Sequence, residues 1–148
     1  MDYGQKAEQL FRDGYNCSQA IVLAFADELD ADKNTLLLIA SSFGGGMARM
    51  REVCGAISGM FMVAGLKQGF TSPKDIEGKA DHYKNLQKLA EAFRQENGDI
   101  KCRDLLGLPT GPDIPTPSER TPEYYRRRPC VELVRSAADI LAKELNLD

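Results

Sequence analysis

The chain has 148 residues, of which 43% are hydrophobic and 28% are charged, and its formal net charge is −3. These values are typical of one soluble domain with a hydrophobic core, and the negative charge argues against nucleic-acid binding. The N-terminus lacks the apolar segment of a signal peptide, and the longest apolar run, about 57–66, is far shorter than the ~20 residues that span a bilayer. We therefore expect a cytoplasmic protein with no membrane span.

Apolar residues recur at helical spacing along most of the chain and predict an all-α fold without strands. We expect a single helical domain over residues 1–148, built as a bundle of six to seven helices. Gly55 and Gly59 share one helix face and predict the close approach of a second backbone. The predicted helices are 3–12, 17–29, 33–42, 53–68, 74–96, 100–106 and 130–146.

Two segments interrupt the helical pattern. Residues 107–129 hold six of the seven prolines and predict an extended irregular loop before the last helix, of the kind that serves as a lid or a partner arm. Three consecutive glycines at 44–46 cost conformational entropy unless the backbone needs unusual torsions or a close contact. Together with Arg49, Gly44, Gly45 and Gly46 are candidates for an anion or cofactor site. Alternatively, the glycines let the chain pass closely by the cysteines.

The residues with the most distinctive chemistry are four cysteines, each at the predicted start of a helix. A helix N-terminus presents unpaired N–H groups and a partial positive charge, and both stabilise a thiolate. No two of the cysteines form a CxxC pair, so they can meet only through folding. The alternative is four unrelated, buried thiols. The four are Cys17, Cys54, Cys102 and Cys130.

Three functions are compatible with this pattern. In the first, the protein is a thiol oxidoreductase that serves an unidentified redox partner, with Cys54 as the reactive thiol and Cys102 or Cys130 as the resolving one. In the second, all four thiolates, with Cys17 among them, bind zinc or an iron–sulfur cluster. In the third, the chain is a helical interaction module, and 107–129 is its partner surface. The long apolar helix also makes a homodimer reasonable.

The order of motifs resembles the C_GCAxxG_C_C family, whose name spells four cysteine positions. The motifs are NCSQA at 16–20, FGGGMAR at 43–49, VCGAISG at 53–59, CRDLLG at 102–107 and a late Cys130. The second block departs from the name, because Val53 stands where a glycine would precede the cysteine. The resemblance implies a helical fold and a redox function that rests on the cysteines.

The same family is similar to the cysteine-bearing part of split-Soret cytochromes, where an iron–sulfur site has been proposed beside haems. This similarity implies a possible cluster on Cys17, Cys54, Cys102 and Cys130. Covalent c-type haem is not expected, because the chain has no Cys-x-x-Cys-His motif.

Overall fold

A computed structural model describes residues 2–147 of the protein, and within them it confirms the all-α fold. The described residues form eight helices, separated by turns and by two short 3₁₀ segments, Ala26–Glu28 and Ser41–Phe43; the short helical turn at Gly44–Met47 is not counted, because Gly45 and Gly46 in it have left-handed torsions. None of these helices is both long enough and apolar enough to cross a membrane. The helices are α1 (Tyr3–Arg12), α2 (Cys17–Ala24), α3 (Lys33–Ala40), α4 (Gly55–Gln68), α5 (Ile76–Asn97), α6 (Cys102–Leu106), α7 (Pro122–Arg127) and α8 (Cys130–Glu144).

The proline-rich segment 107–129 is irregular except for α7, which the sequence analysis did not predict. The Thr121 hydroxyl accepts a hydrogen bond of 3.1 Å from the backbone N–H of Tyr124, and Pro122 occupies the first helical position. Proline is favourable there because the first N–H of a helix has no intrahelical partner and the ring presets φ. Pro122, which the sequence analysis places in an irregular loop, is therefore the first residue of a helix.

The core is built where α8 packs against α1, α2, α4 and α5, and where α4 packs against α2. As predicted, glycines let α4 approach α2 closely. A Cβ added to Gly55 would lie 3.0 Å from Cβ of Cys17, and one added to Gly59 would lie 2.7 Å from Cβ of Ile21. The largest completely buried side chains in this core include Phe11, Phe25, Phe93, Ile21, Ile57, Met60 and Leu141.

A short antiparallel bridge between Val53 and Lys101 joins the segments that precede α4 and α6. The backbone N–H of Cys54 donates to the carbonyl of Ile100 at 2.8 Å, and the N–H of Cys102 donates to the carbonyl of Glu52 at 2.6 Å. Each bond uses an N–H group at a helix start, which has no partner inside its own helix. The bridge therefore fixes two of the four cysteines side by side.

Candidate functional site

All four cysteines line one small cavity, which we call the thiol cavity, together with apolar residues of α6 and α8. The structure confirms their placement at helix starts. Cys17, Cys102 and Cys130 are the first residues of α2, α6 and α8, and Cys54 is the N-cap residue of α4. All four are free thiols. The fold thus brings together four residues that are far apart in the sequence.

The four cysteines do not form a metal-ligand set. Within residues 2–147, no group of three or more His, Cys, Asp or Glu side chains is arranged to hold a metal ion. The thiol cavity has a volume of about 10 Å³, which is close to the minimum needed for a single water molecule. The described residues therefore contain no preformed zinc or iron–sulfur site, and the alternative of such a site stays a prediction.

Cys17 differs from the other three cysteines in both exposure and acidity. Its side chain is half-buried, whereas the others are buried. A hydrogen bond from the Cys130 thiol is the largest influence on Cys17 and, against the opposing effect of burial, lowers its pKa from the ordinary 9.0 to about 7. The backbone N–H of Gly45 and the positive charge of Arg120 lower the pKa further. Cys17 is therefore more readily ionised near neutral pH than an ordinary cysteine.

The pKa of Cys130 is shifted in the opposite direction to that of Cys17. Its hydrogen bond to Cys17 raises the pKa of the Cys130 thiol, because ionisation would remove the donated proton. Burial and the negative charge of a Cys17 thiolate raise the pKa in the same direction. When the pair loses one proton, the thiolate therefore lies on Cys17 and the remaining proton on Cys130.

Cys54, which the sequence analysis predicts as the reactive thiol, lies in a buried environment. Burial strongly raises its pKa, and a negative charge on Cys17 raises it again. Hydrogen bonds from the backbone N–H groups of Ala56 and Ile57 lower the pKa, as expected at a helix start, but they are the smaller effect. With only 4% of its surface exposed, Cys54 is a protonated core thiol at neutral pH.

Cys102 is also buried, but it has a cationic partner. Nη1 of Arg51 donates to Sγ of Cys102 at 3.4 Å, and Nη2 of the same guanidinium forms an ion pair with Asp113 at 3.0 Å. Burial raises the pKa of Cys102, although Arg51 opposes that increase. Arg51 is itself only 3% exposed. Because Asp113 belongs to the proline-rich segment, these contacts connect that segment to the thiol cavity.

A second and larger cavity adjoins the thiols and is here called the basic cavity. It has a volume of about 250 Å³, and Cys17, Cys102 and Cys130 contribute to its wall. No Asp or Glu is found among the described residues that line it. The wall also contains four arginines, namely Arg49, Arg51, Arg120 and Arg128.

Residues 44–49, here called the glycine segment, form one side of the basic cavity. The predicted cofactor-site residues Gly44, Gly45 and Arg49 line this cavity. Gly46 is instead packed against Cys102, since a Cβ built on it would lie 2.6 Å from the Cβ of that cysteine. This close contact is the one that the alternative reading of the glycines predicts, whereas a role in binding a cofactor remains a prediction.

The backbone of this segment turns in the left-handed region over five consecutive residues. Two are glycines, and the other three carry side chains: Met47, Ala48 and Arg49 have φ values of 66°, 53° and 63°. Left-handed torsions cost a residue with a Cβ on the order of 1 kcal/mol. The segment is held by backbone hydrogen bonds across the turn, including N–H of Glu52 to the carbonyl of Gly46 at 2.9 Å.

Replacing Ala48 with glycine is expected to stabilise the protein by up to about 1 kcal/mol, because relief of the Cβ penalty at the left-handed torsion is partly offset by the entropy that glycine loses on folding. The matched control is Ala92→Gly on the exposed face of α5, which should destabilise by about 0.5–1 kcal/mol. Urea unfolding of both variants measures the two effects. A loss of stability in Ala48→Gly would contradict the strained torsion at this position.

Sequence reasoning missed Arg120, which connects the proline-rich segment to the site. Its guanidinium donates to the backbone carbonyls of Phe11 at 2.8 Å and Tyr15 at 3.1 Å, and it lies 4.1 Å from the ring centroid of Phe11. The Thr121-Pro122 pair is a helix-start signal from which order at this point could have been predicted. No signal in the sequence pointed to the carbonyl partners, which come from the other end of the chain.

Fold and site together define an all-α protein whose helix-start thiols meet beside a basic cavity. The chain belongs to the family described as "Putative redox-active protein (C_GCAxxG_C_C)", whose model matches residues 15–144. That range includes all four cysteines and the glycine segment. No curated protein and no solved structure matches the chain.

Proposed function

We propose that the protein is a thiol–disulfide redox protein in which Cys17 and Cys130 cycle between a dithiol and a disulfide. The observation that carries this proposal is that Cys17 and Cys130 share the walls of both cavities, and the interaction between them lowers the pKa of Cys17, the more exposed of the two. The family description supports a redox role but names no reaction. A reducing compartment such as the cytoplasm would keep the resting pair as a dithiol.

The reaction begins with attack by the Cys17 thiolate on one sulfur of an acceptor disulfide, RS–SR. A Cys17–S–S–R bond forms, the RS–SR bond breaks, and RS⁻ leaves. The departing thiolate takes the proton of Cys130, and the Cys130 thiolate then attacks the sulfur of Cys17. This step forms the Cys17–Cys130 disulfide and releases a second RS⁻, so the protein loses two electrons and the acceptor gains them.

The surroundings of the pair suit these steps. The Gly45 N–H and the Arg120 charge stabilise the attacking thiolate, and the basic cavity gives the acceptor access to it. The thiolate is the nucleophilic form of cysteine, and a thiol that titrates near ambient pH is the best attacking group. Cys54 and Cys102 stay protonated and buried, which makes them poor nucleophiles.

Oxidation of the reduced protein by a glutathione redox buffer is expected to produce one disulfide, between Cys17 and Cys130. Acid quenching, alkylation of the remaining thiols and peptide mass spectrometry identify the bonded pair. Cys54→Ala is the matched control, because it removes a cysteine of the same cavity and should leave that disulfide intact. Cys17→Ser and Cys130→Ser should each prevent it.

A stable product with a Cys54–Cys102 disulfide, or no intramolecular disulfide at any buffer ratio, would exclude the proposed pair. Circular dichroism of every variant shows whether the helical fold is retained, so that loss of the disulfide is not confused with unfolding.

A further inference from the structure

We propose that the basic cavity binds a small anionic disulfide, a molecule with a carboxylate or similar anion beside its S–S bond, as the electron acceptor of Cys17. This inference rests on the thiol function proposed above and adds the class of substrate. The observations behind it are the four arginines in the cavity wall and the three cysteines that share that wall.

Two of these arginines have no carboxylate partner among the described residues, although Arg120 also faces the Cys17 thiolate. Asp113 forms ion pairs with Arg49 at 3.4 Å and with Arg51 at 3.0 Å. Over the described residues 2–147, neither Arg120 nor Arg128 has a carboxylate partner. The part of the wall that carries these two side chains therefore has an excess of positive charge.

Neutral groups hold the two unpaired arginines in place. Arg120 is bonded to backbone carbonyls, as described above, and the guanidinium of Arg128 lies 5.1 Å from the ring centroid of Tyr124. Carbonyl oxygens and aromatic rings orient a guanidinium without cancelling its charge. Such a preorganised cation suits a carboxylate, which a guanidinium binds through paired hydrogen bonds.

Size and position restrict the ligand further. A volume of about 250 Å³ is below the roughly 300–1,000 Å³ of pockets that hold drug-sized ligands, so the cavity suits a small molecule. Cys17 lies in the same wall as Arg120 and Arg128, so an anion held by those arginines brings its neighbouring sulfur to the thiolate. A ligand with its anionic group one or two carbons from an S–S bond can contact these arginines and the Cys17 thiolate together.

Three disulfides with equal two-carbon arms test the preference for charge: dianionic 3,3′-dithiodipropionate, uncharged bis(2-hydroxyethyl) disulfide and dicationic cystamine. Each rate of Cys17 oxidation is divided by the rate of the same disulfide with a small reference thiol, which removes intrinsic reactivity. We expect the dianion to react about tenfold or more faster than the uncharged compound, and this advantage to shrink as salt is added. Cystamine should be the slowest.

Arg128→Gln should reduce the rate with 3,3′-dithiodipropionate several-fold more than the rate with the uncharged disulfide, so that the ratio of the two rates falls. The matched control is Arg127→Gln, one residue earlier. Arg127 is exposed, pairs with Glu123 at 2.7 Å and does not line the basic cavity. This control should leave both rates unchanged, and the uncharged disulfide reports whether either variant has lost its fold.

Binding can also be measured without a redox step. Suberate has the length of 3,3′-dithiodipropionate with two methylene groups in place of the sulfurs, and it should protect Cys17 from alkylation by iodoacetamide, whereas 1,8-octanediol should not. Equal protection by the two compounds, or equal rates with the three disulfides, would overturn the inference. If suberate protects Cys17 but no disulfide oxidises it, anion binding stands and the redox function fails, together with the assignment of a disulfide as ligand.

Discussion

Replacing Cys130 with alanine is expected to raise the pKa of Cys17 from about 7 toward its ordinary value of 9.0. The hydrogen bond from Cys130 is the largest cause of the lowered pKa, and alanine cannot donate it. Since only the thiolate is alkylated at an appreciable rate, labelling of Cys17 at pH 7 should fall by about tenfold. Iodoacetamide labelling between pH 5.5 and 9.5, read by peptide mass spectrometry, gives the titration midpoint in each protein.

The control for this prediction is Cys54→Ala. Cys54 lines the same cavity but does not hydrogen-bond to Cys17, so the midpoint of Cys17 should stay near 7. If Cys130→Ala left the midpoint unchanged, the Gly45 N–H and the Arg120 charge would be sufficient to stabilise the thiolate. The paired roles of Cys17 and Cys130 would then lose their support.

The contrast between Cys17 and Cys54 shows why position at a helix start does not by itself identify a reactive cysteine. The helix dipole contributes about 0.3–1 kcal/mol, and up to ~2 kcal/mol in partly buried sites. Burial can move a pKa by as much as 3–5 pH units, each equivalent to about 1.4 kcal/mol. Burial therefore dominates at Cys54, while Cys17 combines partial exposure with three stabilising partners.

The partners of Cys17 show which part of the site could be predicted from the sequence. Helical periodicity predicted the fold and placed each cysteine at a helix start, because it is a local property of the chain. The charge and hydrogen bonds on Cys17 come from Gly45, Arg120 and Cys130, which reach it only through tertiary packing. Cys54 is predicted as the reactive thiol because the residues that follow it are small. Two of them, Gly55 and Gly59, allow the close contact between α4 and α2.

The second large effect is a loss of stability, expected from a substitution in the glycine segment beside the thiols. Gly46→Ala is expected to destabilise the protein by about 2–4 kcal/mol, because two costs combine. The left-handed φ of 70° costs alanine about 1 kcal/mol, and overpacking adds a further cost of roughly 1–3 kcal/mol. The new Cβ would lie 2.8 Å from the backbone nitrogen of Glu52 as well as close to Cys102, and a backbone atom cannot rotate away.

Gly107→Ala separates the two costs. Gly107 has nearly the same torsion, with φ of 67°, but no atom lies within 4 Å of the position its Cβ would take. This variant should lose only the torsional contribution of about 1 kcal/mol, measured by urea unfolding alongside Gly46→Ala. Equal losses in the two variants would mean that the glycine segment relaxes freely away from Cys102.

The same pair of variants links backbone packing to thiol chemistry. Gly45 precedes Gly46 and donates its N–H to the sulfur of Cys17, so a displacement of the segment weakens that bond. Alkylation of Cys17 at pH 7 should therefore slow in Gly46→Ala under conditions where that variant is folded, and stay unchanged in Gly107→Ala. Unchanged alkylation in both would restrict the glycines to a packing role. Slower alkylation in Gly46→Ala alone would show that the close contact with Cys102 also holds the Gly45 amide in place for the thiolate.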